Sequence, residues 1–262
     1  MAIVYGDVSV HVADDFVATV ELHRPPNNYF DLVLIRSLAD ALESLDAGHE
    51  CRAIVLCSQG KHFCAGADFT GRRGLAENVG GGGEDGHLYE EALRLFTTRT
   101  PIVAAVQGTA IGGGLGLAMA ADFRVASPES RFAANFARLG FHHGFGLTIT
   151  LPAAIGRQRA LEMLYTGQRV PGEEAVRIGL CDRLAPADSL REVAHALAAE
   201  IAVSAPLAVR SIRETMRGDL PDRIREATAR ELAEQERLAL TDDFKEGVQA
   251  TAKRRPPQFR GS

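Results

Sequence analysis

GTAIGGGLGL, residues 108–117, stands between the apolar run PIVAAV at 101–106 and small residues that continue to Ala121. A buried strand, a glycine-rich turn and a helix start is the reading this order invites. The dinucleotide fingerprint is the first alternative to test. G-x-G-x-x-G begun at Gly112 needs glycine at 117, where Leu117 stands; begun at Gly114 it needs glycine at 119, where Met119 stands. The pattern fails in both registers, and no Walker A, G-x-S-x-G or H-E-x-x-H sequence occurs elsewhere. A second loop has the same setting. AIVLC at 53–57 is short and apolar, as in a strand covered on both faces, and runs into SQGKHFCAGADF. Glycine at such turns lets the backbone approach a ligand, and a helix beginning there presents unpaired N–H groups. Two such groups converging would make an oxyanion hole; tight turns alone would use the same glycines.

Outward from these loops, the first half alternates strands with helices. Residues 8–12 and 16–22 read as a hairpin, and Leu32, Ile35, Leu38, Leu42 and Leu45 mark a helix over 31–45 with Asp31 as N-cap. Helix is predicted at 87–97 and strand at 123–126. Residues 71–86, with GRRG and four consecutive glycines, read as flexible. Beyond Arg157 the pattern turns helical, at 157–165, 172–178, 189–203, 206–216, 221–239 and 242–252. The organisation is an α/β body over 1–200 and a helical region over 201–262 within one functional unit.

Composition agrees with one globular unit. The 262 residues are 46% hydrophobic and 24% charged, with mean hydropathy −0.04, which excludes collagen, coiled coil or long disorder as the main architecture. Roughly 73% of the unfolded surface is available for burial at this size, enough for a core without staples. A net charge of −5 gives no footprint for nucleic acid or an anionic membrane. Cys51, Cys57, Cys64 and Cys181 form no CxxC pair, and the first residues lack a basic leader. Neither a disulfide framework nor a metal site is expected, and the cytoplasm is the expected compartment.

GKHFCAGADF taken together with GTAIGGGLGLAMAADFRVAS resembles the crotonase, or enoyl-CoA hydratase/isomerase, superfamily. The likeness extends from LHRPPNNYFD near the start, through RFAANFARLGFHHGFG, to DDFKEGVQATAKRRPPQF at the end. It implies a spiral of ββα turns with a helical C-terminal trimerisation region, a homotrimer or dimer of trimers, and an acyl-CoA substrate. Coenzyme A would arrive as part of the substrate, with no separate cofactor. The thioester carbonyl would sit between the backbone N–H groups of Ala67 and Gly113. Around it, the resemblance places Cys64, Ala65, Gly66, Asp68, Phe69, Ile111, Gly112, Gly116, Phe136 and Leu139 against the acyl thioester. Arg24 and Lys61 flank loops that would meet the coenzyme A phosphates.

Three positions depart from the family pattern. The hydratase glutamate of the GGGxE loop is Gly116, the second hydratase glutamate is Phe136, and the aspartate of the dienoyl-CoA isomerases is Gly144. Syn addition of water needs a placed acid and base, so standard crotonyl-CoA hydration is not the expected reaction. His142 lies where the naphthoate synthases of the family carry a catalytic aspartate, and an imidazole is a competent base near neutrality. His143 is its neighbour and second candidate. Of the helix start His87, Tyr89 and Glu90, one side chain is a candidate to face the acyl pocket. The reactions left open are an enolate-forming lyase or isomerase, hydrolysis of a thioester or β-dicarbonyl C–C bond through His142, and acyl-CoA binding without turnover.

Overall fold

The computed structural model describes residues 2–67 and 87–262. Asp68, Phe69 and the glycine-rich 71–86 segment lie outside them. Among the described residues seven strands form the main sheet: β1 (Ile3–Tyr5), β2 (Val8–Val12), β3 (Val17–Leu22), β4 (Ala53–Ser58), β5 (Ile102–Val106), β7 (Phe123–Ala126) and β10 (Arg183–Leu184), in that spatial order. The first three pair antiparallel; from β3 to β10 every neighbour is parallel. A smaller sheet holds β6 (Thr109–Ile111), β8 (Arg131–Ala133) and β9 (Val170–Pro171).

Chain order explains why there are two sheets. Each turn lays one strand into the main sheet, bends, and lays a short one across it: β5 leads to β6 and β7 to β8. Single bridges continue this pattern backwards, Cys64 beside Ala110 and Phe30 beside Ala67. The residues just after each bend, Phe30, Ala65–Ala67, Ile111–Gly113 and Asn135–Phe136, are therefore stacked turn upon turn.

Strand alternation fills two cores. Ile54 and Leu56 of β4 join the larger cluster with Leu34, Leu38, Phe96 and Phe132, while Ala53, Val55 and Cys57 face the other way. There they meet Leu190, Ala194 and Ala198 of helix α7 (Leu190–Ala202). A wholly apolar strand is the pattern required of one covered on both faces. Helix α1 (Leu32–Ala47) buries Leu34, Ile35, Leu38, Leu42 and Leu45, and Asp31 caps it by accepting from Leu34 N–H at 2.9 Å. Helix α2 (Leu88–Thr97) starts with a capping box between His87 and Glu90. Then come α3 (Gly113–Ala120), a 3-10 turn (Asn135–Leu139), α4 (Leu147–Ile155), α5 (Arg157–Thr166) and α6 (Gly172–Arg177).

Beyond α7 lie α8 (Pro206–Arg217), α9 (Leu220–Ala239) and α10 (Asp242–Ala252). The predicted helices all form; α4 is an addition, so the helical part begins about ten residues before Arg157. Helix α9 packs on α2 and α4, and α10 on the 3-10 turn. The C-terminal region thus closes over the same space that the spiral turns line. No single helix among the described residues is long and apolar enough to cross a membrane.

Candidate active site

A cavity of about 260 Å³ opens where the bends stack. Tyr29 and Phe30 line it from the first turn, Ala65, Gly66 and Ala67 from the second, Ile111, Gly112 and Gly113 from the third, and Asn135, Phe136 and Leu139 from the fourth. Helix α2 adds Leu88 and Tyr89, the loop before α4 adds Gly144 and Phe145, and α9 and α10 add Gln235, Val248 and Thr251. The wall is largely apolar. Its polar side chains are Tyr29, Tyr89, Asn135, Gln235 and Thr251, with neither carboxylate nor imidazole among the described lining residues.

Two backbone amides distinguish this wall. Gly113 is the first residue of α3 and its N-cap, Gly112, has no side chain to cap the helix. The Gly113 N–H has no partner among the described residues, and it carries the positive end of the helix dipole. Ala67 N–H is likewise without a partner among the described residues. The reason is local: Phe30 N–H donates to Gly66 O at 3.1 Å, a pairing that leaves the Ala67 amide on the other side of the chain. Gly66 and Gly112 hold φ of +93° and +57°. A side chain at either would be strained, so these two glycines set the direction of both amides.

Gly116 and Gly144 have no free room for a side chain. A Cβ built on Gly116 would lie 2.5 Å from Phe145 Cβ, and one built on Gly144 would lie 1.8 Å from Tyr89 Oη and 2.6 Å from Gln235 Nε2. Phe145 therefore occupies the room beside position 116, and the Tyr89–Gln235 pair the room beside 144. Tyr89 Oη donates to Gln235 Oε1 at 2.7 Å, and Gln235 Nε2 donates to His142 O at 2.9 Å. Burial raises the Tyr89 phenol above its ordinary value, aided by the buried Glu231 carboxylate, so it stays protonated.

Of the residues singled out in the sequence, Ala65, Gly66, Ala67, Ile111, Gly112, Gly113, Phe136 and Leu139 meet on this wall. Others do not. Cys64 is fully buried behind it, and burial pushes its thiol up to about 12. Gly116 is covered by Phe145. Arg24 is clamped by Asp7 at 2.6 Å and Asp31 at 2.7 Å, which removes it as a free phosphate ligand. Lys61 is exposed and off the cavity wall. Asp68 and Phe69 lie outside the described residues.

The histidine pair needs the largest correction. Neither ring is on the wall. His142 Nδ1 is 2.7 Å from His143 O, and the two rings stack at 4.2 Å. His143 Nε2 lies 2.8 Å from Thr148 Oγ1, which donates to Glu231 Oε1 at 2.6 Å. Burial, with His142 beside it, pushes His143 down to about 4. The pair organises the start of α4 instead of facing the cavity. Sequence reasoning missed Gln235, because α9 carries charges on most of its turns and reads as a solvated helix. Tyr89 was in view only as one of three residues at a helix start.

The family profile described as "Enoyl-CoA hydratase/isomerase" matches residues 13–262. A "Probable enoyl-CoA hydratase" of Bacillus subtilis is 32% identical over 254 residues, covering 95% of this chain and 96% of that one. Another protein of that description, from Rhizobium meliloti, is 34% identical over 248 residues, 93% and 94% of the two chains. Among solved structures, an enoyl-CoA hydratase/isomerase from Pseudoalteromonas atlantica superimposes with a TM-score of 0.86 at 28% identity, covering 97% of this chain and 100% of the other. An enoyl-CoA hydratase from Mycobacterium avium subsp. paratuberculosis gives 0.84 at 26% identity, with 97% and 99% covered. The chain belongs to the enoyl-CoA hydratase/isomerase family and has the crotonase fold.

Proposed function

We propose that this enoyl-CoA hydratase/isomerase family member takes an acyl-CoA thioester into the cavity and holds its carbonyl oxygen between the Ala67 and Gly113 N–H groups. The observation that carries this reading is the pair of amides, without partners among the described residues, on one wall of a largely apolar cavity. Negative charge that builds on the thioester oxygen as the α-carbon takes on enolate character is stabilised there, by about 3 kcal/mol per donor. Water exclusion by Phe30, Phe136, Leu139 and Phe145 strengthens both hydrogen bonds. Coenzyme A arrives with the substrate, and Lys61, exposed and without an ion pair among the described residues, is the cation offered to its phosphates. No separate cofactor or metal enters this scheme; among the described residues no group of three or more His, Cys, Asp or Glu side chains is placed to hold a metal ion. The protein is proposed to work in the cytoplasm as a homotrimer or dimer of trimers.

The reaction we infer is not standard hydration of crotonyl-CoA. Phe136, which the family resemblance aligns with a hydratase glutamate, stands on the wall, and positions 116 and 144 are glycines whose neighbouring room is taken. A placed acid or base is worth about 10²–10⁴ in rate, so crotonyl-CoA hydration is expected at least about 10³-fold below a typical hydratase of the family. Hydrolysis through His142 loses its residue, because that ring is off the wall. Acyl-CoA binding without turnover remains the second reading, favoured by the lack of carboxylate and imidazole among the described lining residues.

The test is infrared difference spectroscopy of bound butyryl-CoA labelled with ¹³C at the thioester carbonyl. Polarisation by two amide donors is expected to move the carbonyl stretch to lower frequency than in buffer. Tight binding with an unmoved band would overturn the two-amide assignment, and no binding of any coenzyme A ester would overturn the substrate class. Replacing Gly113 is a poorer test, because any Cβ there would lie 2.4 Å from the Phe30 ring.

A further inference from the structure

Gln235 is 3% exposed, and its carboxamide makes two bonds: Oε1 accepts from the Tyr89 hydroxyl and one Nε2–H donates to His142 O. The orientation of the amide follows from these partners, since a carbonyl at His142 and a hydroxyl at Tyr89 admit only one arrangement without opposing two acceptors. The second Nε2–H has no partner among the described residues, in a side chain that lines the cavity. Beside it stands the Tyr89 hydroxyl, lining the same cavity, in the room that a side chain at position 144 would need. The cavity thus has an N–H donor with a hydroxyl beside it, apart from the two backbone amides and supplied by α2 and α9. Phe141, Phe145, Leu88 and Val248 line the same cavity, and the other polar side chains among its described lining residues are Tyr29, Asn135 and Thr251.

A donor left over in an apolar cavity selects for an acceptor on the ligand, and rejects hydrocarbon that would leave it unpaired. We propose that Gln235 and Tyr89 form a second polar subsite that recognises a carbonyl oxygen on the acyl chain, so that the preferred ligands are oxoacyl-CoA thioesters. This inference rests on the acyl-CoA reading above. The thioester oxygen takes the Ala67 and Gly113 amides; the oxo group farther along takes Gln235 Nε2–H, with the Tyr89 hydroxyl holding the amide in place through its bond to Oε1.

Isothermal titration with acetoacetyl-CoA and butyryl-CoA separates the two claims, because these esters match in chain length and differ in the 3-oxo oxygen. Ligand integrity is checked by chromatography after each run. The wild-type protein is expected to bind acetoacetyl-CoA about tenfold more tightly, the worth of one well-formed hydrogen bond. Gln235→Met, close in length and without donors, and Tyr89→Phe are each expected to bring the ratio within about threefold of unity. The ratio is read within each protein, so a general weakening cancels. Gly144→Ala, whose methyl must displace the Tyr89 hydroxyl, is expected to lower the ratio too. Equal binding of both esters to the wild type, or a tenfold preference surviving in Gln235→Met and Tyr89→Phe, would overturn the subsite while leaving the thioester reading intact. Failure of both esters to bind the wild type would overturn both.

Discussion

Residue 116 has its backbone inside a helix and its side-chain room inside a neighbour: a Cβ there meets Phe145 Cβ at 2.5 Å and the ring at 2.8 Å. Phe145 is 1% exposed, packs edge-on against Phe30 at 5.6 Å, and has φ of +62°, so it has little freedom to withdraw. Gly116→Ala is accordingly expected to cost about 1–3 kcal/mol in urea denaturation, the usual range for overpacking a filled core. Gly116→Glu is expected to destabilise further and to leave crotonyl-CoA hydration at the wild-type level, since the carboxylate cannot reach its place while Phe145 holds it. A rise of about 10² or more in that rate would show that Phe145 yields its place and that a carboxylate at 116 can act there. Position 144 obeys the same logic with the Tyr89 hydroxyl in the role of Phe145. At both glycines the neighbouring side chain, not only the missing one, shapes the site.

Helix α4 has no cap of its own at Gly146. Its acceptor comes from α9: Glu231, fully buried, accepts from Gly146 N–H at 2.9 Å, Thr148 N–H at 3.0 Å and Thr148 Oγ1 at 2.6 Å. A carboxylate at a helix N-terminus satisfies orphan donors and complements the dipole. Removing it leaves buried donors unpaired, so Glu231→Ala is expected to lower stability by about 3 kcal/mol in urea denaturation, with Glu231→Gln losing less because one acceptor oxygen stays. A loss below about 0.5 kcal/mol would mean that water replaces the carboxylate at no cost. Four residues along α9, Gln235 reaches the cavity, so one turn of this helix both anchors the loop before α4 and supplies a wall. Helix α4 was not read from the sequence because LTITLPAAI has no polar stripe, contains β-branched residues and carries an internal proline; periodicity is silent on such a segment. The short strands β6, β8, β9 and β10 escaped for a related reason: two or three residues carry no pattern.

At the scale of the molecule, the C-terminal helices leave apolar side chains outward. Val203, Leu207, Met216 and Leu240 are each about four-fifths exposed, at the end of α7, along α8 and at the end of α9. Single exposed apolar residues are ordinary, but these lie on successive helices of the region to which the proposed assembly is assigned. Light scattering is expected to give three or six times the 28.1 kDa chain mass, and Leu207→Glu with Met216→Glu to shift the population towards the monomer. A monomer at micromolar concentration would sink the proposed assembly. Inside the chain, α8 is tied to the spiral by charge: Asp122 pairs with Arg213 at 2.9 Å and Arg217 at 3.0 Å.

What the sequence determined by itself is the alternation of strands and helices and the glycine bends between them; the spiral entered through the family resemblance. Apolar strands such as AIVLC, the heptad-like leucines of α1 and the glycines at 66 and 112 are local statements, because burial on both faces, helix period and positive φ each act within a few residues. Which two amides of those loops face the cavity was implied by the family resemblance, not by the local pattern. What only the tertiary structure decided is which side chains share the cavity. Gln235 and Tyr89 are 146 residues apart and meet through the packing of α9 on α2, which no local pattern encodes. His142 has the chemistry of a base in any sequence; whether its ring reaches a substrate depends on where the loop before α4 is pinned, and a carboxylate 85 residues from Gly146 settles that. Side-chain chemistry is written in the residue, but access to the reacting atoms is a property of packing.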